Sequence, residues 1–157
     1  DKRDPFAAME AELLSARAKW TRAQTSTGSA RERLLKTALQ RAQAAVAIGE
    51  QRGFLSGQVL GNALLGDVLV SSGDVGRALP YAQRAAELLD DRTATGLPVE
   101  DALGAYARVL RAVGDDDEAA AADVRARGLL QARARRLPPE MQDRFWSVPA
   151  RRALRPS

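Results

Sequence analysis

Apolar residues recur at helical spacing along most of the chain, and turn-forming residues interrupt them at intervals. In the middle of the sequence, i, i+3, i+4 steps predict a helix that stops at Gly73, because glycine readily ends a helix. The residues that follow this spacing are Val59, Leu60, Ala63, Leu64, Val68 and Leu69. Similar spacing predicts helices over about 5–22, 30–49, 75–89, 99–113 and 140–146, with a further long helix ending before Pro138. We therefore expect an all-α fold.

Two segments of the chain repeat one series of residues at an offset of 41 positions. The first series is Leu65-Gly66, Gly73-Asp74, Ala78, Ala82 and Ala85, and the second is Tyr106-Ala107, Gly114-Asp115, Ala119, Asp123 and Ala126. A partial earlier copy, Ala38-Leu39, Ala42-Gln43 and Ala45, precedes the first series at an offset of 40. Because a stack of repeats needs about three copies for stability, the sequence predicts three helix pairs.

The second helix of each pair has its own signals. Asp74 is predicted to cap the helix over 75–89, and a stripe of small residues at 78, 82 and 85 is predicted to face a neighbouring helix. Pro80 lies inside that helix, where we expect a bend without a break. The run Asp115 to Glu118 is interpreted as a helix cap, since the ligand spacing of a calcium loop is missing.

These repeated residues resemble the tetratricopeptide repeat, which has a large-then-small pair in its first helix, Gly at the turn and small residues in its second helix. The spacing of 40 to 41 residues is similar to the variant found in large bacterial signalling and transcription regulators. The resemblance implies an α-α superhelix of about three pairs, over 5–50, 55–90 and 98–135, in a single domain over 1–157. Because the chain begins with Asp1 and not with Met, we expect it to be a piece of a larger protein. A C-terminal cap over 138–154 is expected to cover the last pair with Met141, Phe145 and Trp146.

Composition removes most catalytic chemistry. The chain has no Cys and no His, so thiol nucleophiles, imidazole bases and the usual zinc ligands are excluded. Adjacent acidic pairs such as Asp116-Asp117 do not oppose one another across a cleft, and glycine-rich phosphate loops are absent. We therefore expect no enzyme activity, no cofactor and no metal site. No apolar run is long enough for a membrane span or a signal peptide, which favours a cytoplasmic protein without a membrane partner.

The resemblance implies that the first helix of each pair lines a concave groove, which is the peptide-binding face of the family. Counting from the turn glycines places five polar residues on that face: Asn62, Asp67, Asp101, Arg108 and Arg111. Arg108 and Arg111 lie one helical turn apart and are candidates to clamp a carboxylate or an acidic segment. The alternative is that both are ordinary solvated residues of the helix.

Two further features have alternative interpretations. Trp20 and Trp146 are either core residues or exposed rings that seat a partner. Seven arginines against two acidic residues give positions 131–157 a net charge of +5, which accounts for the formal charge of +4. This basic tail is a candidate nucleic-acid surface, but it lacks interleaved aromatic residues, and 21 of the 24 basic residues are Arg, which is typical of a GC-rich genome.

The sequence predicts a protein-interaction module that binds a peptide, a partner protein or another domain of its parent protein in bacterial signalling or regulation. Homo-oligomerisation through an exposed apolar helix face is the alternative, which makes a homodimer a candidate state. Nucleic-acid binding through the tail is the weakest of the three hypotheses.

Overall fold

The computed structural model of the protein describes residues 4–89 and 96–156, and within these ranges the chain contains helices and turns but no β-strand. The helices follow in the order α1 (Pro5–Gln24), α2 (Gly28–Arg52), α3 (Leu55–Ser71), α4 (Val75–Leu88), α5 (Val99–Val113), α6 (Asp116–Ala134), α7 (Pro139–Trp146) and α8 (Pro149–Arg152). The all-α prediction is confirmed. Asp90 and Asp91, at the predicted end of the second pair, lie outside the described residues.

Glycine ends the first helix of the second and third pairs in the same way. Gly73 and Gly114 adopt left-handed φ angles of 81° and 86°, which only glycine reaches at little cost. The following residue then hydrogen-bonds back into the helix: the Asp74 amide donates to the carbonyl of Leu69, and the Asp115 amide donates to the carbonyl of Leu110, both at 2.9 Å. The turn predicted from the repeat is thus built twice, 41 residues apart.

A side-chain cap was predicted at the start of α4 and of α6, and it forms only at the start of α6. Asp115 caps α6, because its Oδ1 accepts a hydrogen bond from the amide of Glu118 at 3.2 Å. Asp74 precedes α4, but its side chain makes no capping bond and instead pairs with Arg77 at 3.0 Å. The prediction that the Asp74 side chain caps α4 is therefore wrong. The helix α2 is also longer than predicted, since it runs from Gly28 until Gly53 turns left-handed.

Helices α1 to α6 pack as three consecutive hairpins. Each second helix contacts its own first helix, and α2 and α4 also contact the first helix of the next hairpin. The first helices contact one another as well, α1 with α3 and α3 with α5. One layer is therefore formed by α1, α3 and α5, and this layer carries the candidate site described below.

The helical spacing of apolar residues predicts thirteen core positions, and all thirteen are buried or partly buried. Nine are buried, namely Leu13, Leu35, Leu64, Leu65, Val68, Leu69, Leu103, Val109 and Leu110, and the other four, Leu39, Leu79, Leu88 and Tyr106, are partly buried. The small-residue stripe of α4 also packs inward, since Ala78, Ala82 and Ala85 have no exposed surface. α4 continues through Pro80 from Val75 to Leu88, so the predicted absence of a break is confirmed.

Helices α7 and α8 lie against the last hairpin. Trp146 is buried in a cluster with Leu130 and Ala134, and Phe145 packs against the same cluster. Met141 is exposed, so the prediction that it covers the end of the last helix pair is wrong. The short helix α7 turns the side with Trp146 towards α6, and Met141 lies on the side that faces solvent. Over the described ranges, no helix has the length and apolar character that a membrane crossing requires.

Candidate functional site

An open groove of about 350 Å³ runs over the layer of first helices. Its lining residues are Glu10, Leu13, Leu14 and Arg17 from α1, Leu60 and Leu64 from α3, and Asp101 from α5. The α1 residues occupy positions i, i+3, i+4 and i+7, so one face of that helix supplies a whole wall. The groove therefore has a leucine-rich surface with charged residues at its border.

Leu14 is the most exposed large apolar residue among those that the structure describes. Its side chain is 70% exposed, whereas its neighbour Leu13 is buried against α3. Since Leu13 and Leu14 are adjacent in a helix, their side chains point about 100° apart, and only one of them faces the core fully. Leu14 is left on the groove wall with apolar surface in water.

Two ion pairs join the first helices next to the leucines. Arg17 of α1 pairs with Asp101 of α5 at 2.9 Å. Arg108 of α5 donates to Asp67 of α3 through two hydrogen bonds, Nε to Oδ1 and Nη2 to Oδ2, both at 2.8 Å. This fork is the strong geometry for an arginine and a carboxylate. A small cavity between the two ion pairs is lined by Trp20 and by the paired residues themselves. The charged side chains at this end of the groove are therefore held in place by partners within the chain.

The electrostatics of Arg108 reflect this arrangement. Burial opposes the charged guanidinium, but the hydrogen bonds and the negative charge of Asp67, helped by Asp101 and Asp123, raise the pKa of Arg108 above its ordinary value. The Asp67 side chain is only 7% exposed. The guanidinium therefore stays charged, and its positive charge is balanced by Asp67.

The five polar residues predicted to face the groove are distributed differently. Asp101 lines the groove, and Asp67 and Arg108 line the adjoining small cavity. Asn62 is buried, and its side-chain amide donates to the carbonyl of Gln58 at 2.7 Å, so its predicted place in the groove is corrected. Arg111 pairs with Asp123 of α6, away from Arg108. The predicted clamp of Arg108 and Arg111 is therefore not formed, because each arginine pairs with a carboxylate on a different helix.

Sequence reasoning missed the residues that form the apolar part of the groove. The periodicity places Leu13 and Leu64 in the core and counts Leu14 with the apolar positions of the first helix, and it gives Glu10 and Arg17 no role. The signal was present, because α1 has Leu13 and Leu14 side by side and a surface helix buries only one such neighbour fully. What the sequence lacks is the direction in which the next helix packs.

Neither tryptophan is a free ring. The Trp20 indole is partly buried, and its Nε1 donates to Oγ of Ser71 at 3.0 Å, which ties α1 to the end of α3. Trp146 is buried in the core cluster beneath α7. The core interpretation of the two residues thus describes Trp146 fully and Trp20 in part.

Several arginines of the basic tail bind groups of the chain itself. Arg151 donates from Nε to Oε1 of the buried Glu100 at 2.7 Å, and its guanidinium carbon lies 4.3 Å from the centre of the Phe145 ring. Arg155 pairs with Asp143 at 2.7 Å, and Arg133 donates to the carbonyl of Leu97. Burial, with the nearby positive charge of Arg151, lowers the pKa of Arg133 although Glu100 opposes this shift. The Arg151 contact therefore attaches the tail to α5, the Arg155 pair lies within the tail, and the Arg133 bond joins α6 to the segment before α5.

No model of a known protein family, no curated protein and no solved structure matches the chain. Across residues 4–89 and 96–156 there is also no group of three or more acidic side chains placed to hold a metal ion. The site is therefore interpreted from its own residues: an open leucine-lined groove beside ion pairs that join its helices.

Proposed function

We propose that this chain is a protein-interaction module and that its binding surface is the groove formed by α1, α3 and α5. The observation that carries the proposal is the exposure of Leu14 beside the other leucines of the groove. Within this proposal, the stacked hairpins form a tetratricopeptide-like superhelix, as the repeated residues at an offset of 41 suggest, and the parent protein is a bacterial signalling or regulatory protein.

The physical basis is the free energy that is available at an apolar groove. Full burial of a leucine side chain contributes roughly 1.5–3 kcal/mol relative to exposure, so a partner that covers Leu14 gains an energetic anchor. At Arg108, the ion pair with Asp67 favours an apolar partner surface over an acidic one. Arg108 already donates to both oxygens of Asp67, and an incoming carboxylate would have to displace them.

The proposal is tested by changing the groove without changing the fold. Leu14→Asp places a charge at the centre of the apolar wall, and Val124→Asp is a matched control, because Val124 is 64% exposed on α6 and outside the groove. Both variants and the unchanged chain serve as immobilised bait for extracts of the producing cells and for the rest of the parent protein. Retained proteins are quantified by mass spectrometry.

We expect at least one protein to be retained by the unchanged chain and by Val124→Asp and to be lost with Leu14→Asp. Circular dichroism of the three proteins shows whether the helices are preserved, which separates a lost surface from a lost fold. A retained set that is the same for all three baits would contradict the groove as the binding surface.

A further inference from the structure

We propose that the partner of the exposed α1 face is the α1 helix of a second copy of this chain, which lies antiparallel to it across a two-fold axis near Leu14. This inference rests on the proposed function, because Glu10, Leu14 and Arg17 belong both to the groove wall and to the α1 face used here. It is carried by the arrangement of charges on α1 and by the spacing of the residues that α1 leaves in solvent.

The outward side of α1 has the spacing of a helix-pairing seam. Ala7, Ala11, Leu14, Ala18 and Thr21 are all exposed, and the steps between them are four, three, four and three residues. This alternation keeps a stripe aligned with a partner helix over several turns. Leu14 is the central and largest member, and the smaller residues on either side permit a close approach of two backbones.

The charges next to this seam are self-complementary. Glu10 lies four residues before Leu14 and Arg17 lies three residues after it, and both are exposed. When two α1 helices run antiparallel with Leu14 against Leu14, Glu10 of each copy meets Arg17 of the other. In a parallel two-fold pairing the sides that carry Glu10 and Arg17 lie on opposite edges of the seam, so no Glu10–Arg17 pair forms between the copies. The charge pattern therefore selects the antiparallel arrangement.

Within one chain these charges are only partly satisfied. Glu10 makes no hydrogen bond or ion pair with any described residue. Arg17 pairs with Asp101 through one terminal nitrogen and remains 44% exposed, so its other donors are available to a second carboxylate. A two-fold contact uses one surface twice, which means that each favourable pair forms twice. The second copy thus supplies the partner that Glu10 lacks.

Charge reversal gives a sharp test. Glu10→Arg places arginine against Arg17 of the other copy, and Arg17→Glu places glutamate against Glu10, so each variant repels itself. An equimolar mixture of the two variants restores both attractive pairs and forms a heterodimer. The measurement is light scattering coupled to size-exclusion chromatography over a concentration series, with the variants carrying tags of different mass.

We expect a dimer for the unchanged chain, monomers for each single variant and for Leu14→Asp, and a dimer for the mixture. The control Val124→Asp keeps the dimer, because Val124 is exposed on α6 and outside the seam and the groove. Circular dichroism confirms that the monomeric variants are folded.

Each other result overturns the inference. An unchanged chain that is monomeric at every concentration removes the second copy as partner, and if Leu14→Asp still loses a retained protein, the proposed function stands without it. A dimer that resists Leu14→Asp uses another surface. Single variants that stay monomeric when mixed contradict the antiparallel charge register.

Discussion

Arg108 forms a two-bonded ion pair with Asp67, the residue that occupies its own position one repeat earlier. The offset of 41 that relates Leu65 to Tyr106 also relates Asp67 to Arg108, and the two side chains meet at 2.8 Å across α3 and α5. Equivalent positions of successive first helices therefore face each other in the layer. Two residues that are equivalent in the sequence repeat are therefore in direct contact in the structure.

Stability tests whether this pair acts as a unit. Arg108→Met removes both hydrogen bonds from a carboxylate that is almost fully buried, and we expect the free energy of unfolding to fall by about 2 kcal/mol. The combined variant Asp67→Leu/Arg108→Met should return to within about 1 kcal/mol of the original chain, because no uncompensated charge remains. Urea unfolding of the two single variants and the double variant completes the cycle. Additive losses would show that the two residues are not coupled.

Tyr106 contributes to the loss of stability that is expected at alkaline pH. Burial, followed by the negative charges of Glu118, Asp115 and Glu87, raises the pKa of Tyr106 above its ordinary value. An unfolded tyrosine ionises near pH 10, at about its ordinary pKa. The contribution of Tyr106 is therefore fully present below that pH and is lost as the pH rises towards the folded pKa.

The comparison of Tyr106→Phe with the unchanged chain isolates this effect. We expect Tyr106→Phe to lose less stability above about pH 10, measured as the midpoint of urea unfolding over a pH series. Tyr81→Phe is the matched control for removal of a tyrosine hydroxyl from a partly buried site. Parallel pH curves for the unchanged chain and Tyr106→Phe would refute the assignment.

The helix ends were predictable where one residue decides them. Gly73 and Gly114 terminate α3 and α5 because the left-handed conformation that each adopts is costly for other residues. The start of α2 was predicted near residue 30, which is too late, since Gly28 in the polar stretch before it begins the helix with a φ of 54°. A glycine in a polar stretch signals a turn but does not show on which side of it the helix starts.

The side-chain partners were much less predictable than the helices. Arg111 and Arg108 share a helix and lie one turn apart, which made a clamp a reasonable hypothesis. Their partners, Asp123 and Asp67, lie on different helices, and that depends on the packing of α5 between α3 and α6. The exposure of Leu14 could not be predicted for the same reason, because it depends on the packing of α3 against Leu13.

Close helix packing makes Gly49 difficult to replace. A Cβ atom at Gly49 would lie 2.9 Å from the amide nitrogen of Gln58 and 3.0 Å from the carbonyl oxygen of Phe54, both of them backbone atoms. We expect Gly49→Ala to cost roughly 1–3 kcal/mol, because the start of α3 must move away from α2.

The matched control lies in the middle of α6. Gly128 has no atom within 4 Å of an added Cβ, so Gly128→Ala should stabilise the chain by about 0.5–1 kcal/mol through its better helix propensity. Thermal and urea unfolding of both variants measure the two effects. A loss of stability at both positions would mean that the contact at Gly49 is not the cause.

The ion pair between Arg151 and Glu100 holds the C-terminal helices, and we expect it to be much stronger than the pair between Arg155 and Asp143. Glu100 of α5 is only 4% exposed, and its Oε1 accepts from Arg151, whereas its Oε2 has no partner among the described residues. Arg151→Met leaves that carboxylate buried without its cation, and we expect a cost of about 3 kcal/mol. The loss should appear first as release of α7 and α8, because Arg151 also packs on Phe145 beside the buried Trp146.

Arg155→Met is the control for this prediction. Its partner Asp143 is 84% exposed, so water replaces the lost pair and the cost should stay below about 1 kcal/mol. Quenching of Trp146 fluorescence by iodide, measured in a Trp20→Phe background, reports whether α7 has left the core. Equal protection of Trp146 in the two variants would show that apolar packing alone holds the C-terminal helices. In that case the tail arginines would be available for contacts outside the chain, and a substitution series at the exposed Arg135, Arg136 and Arg144 would be the way to find them.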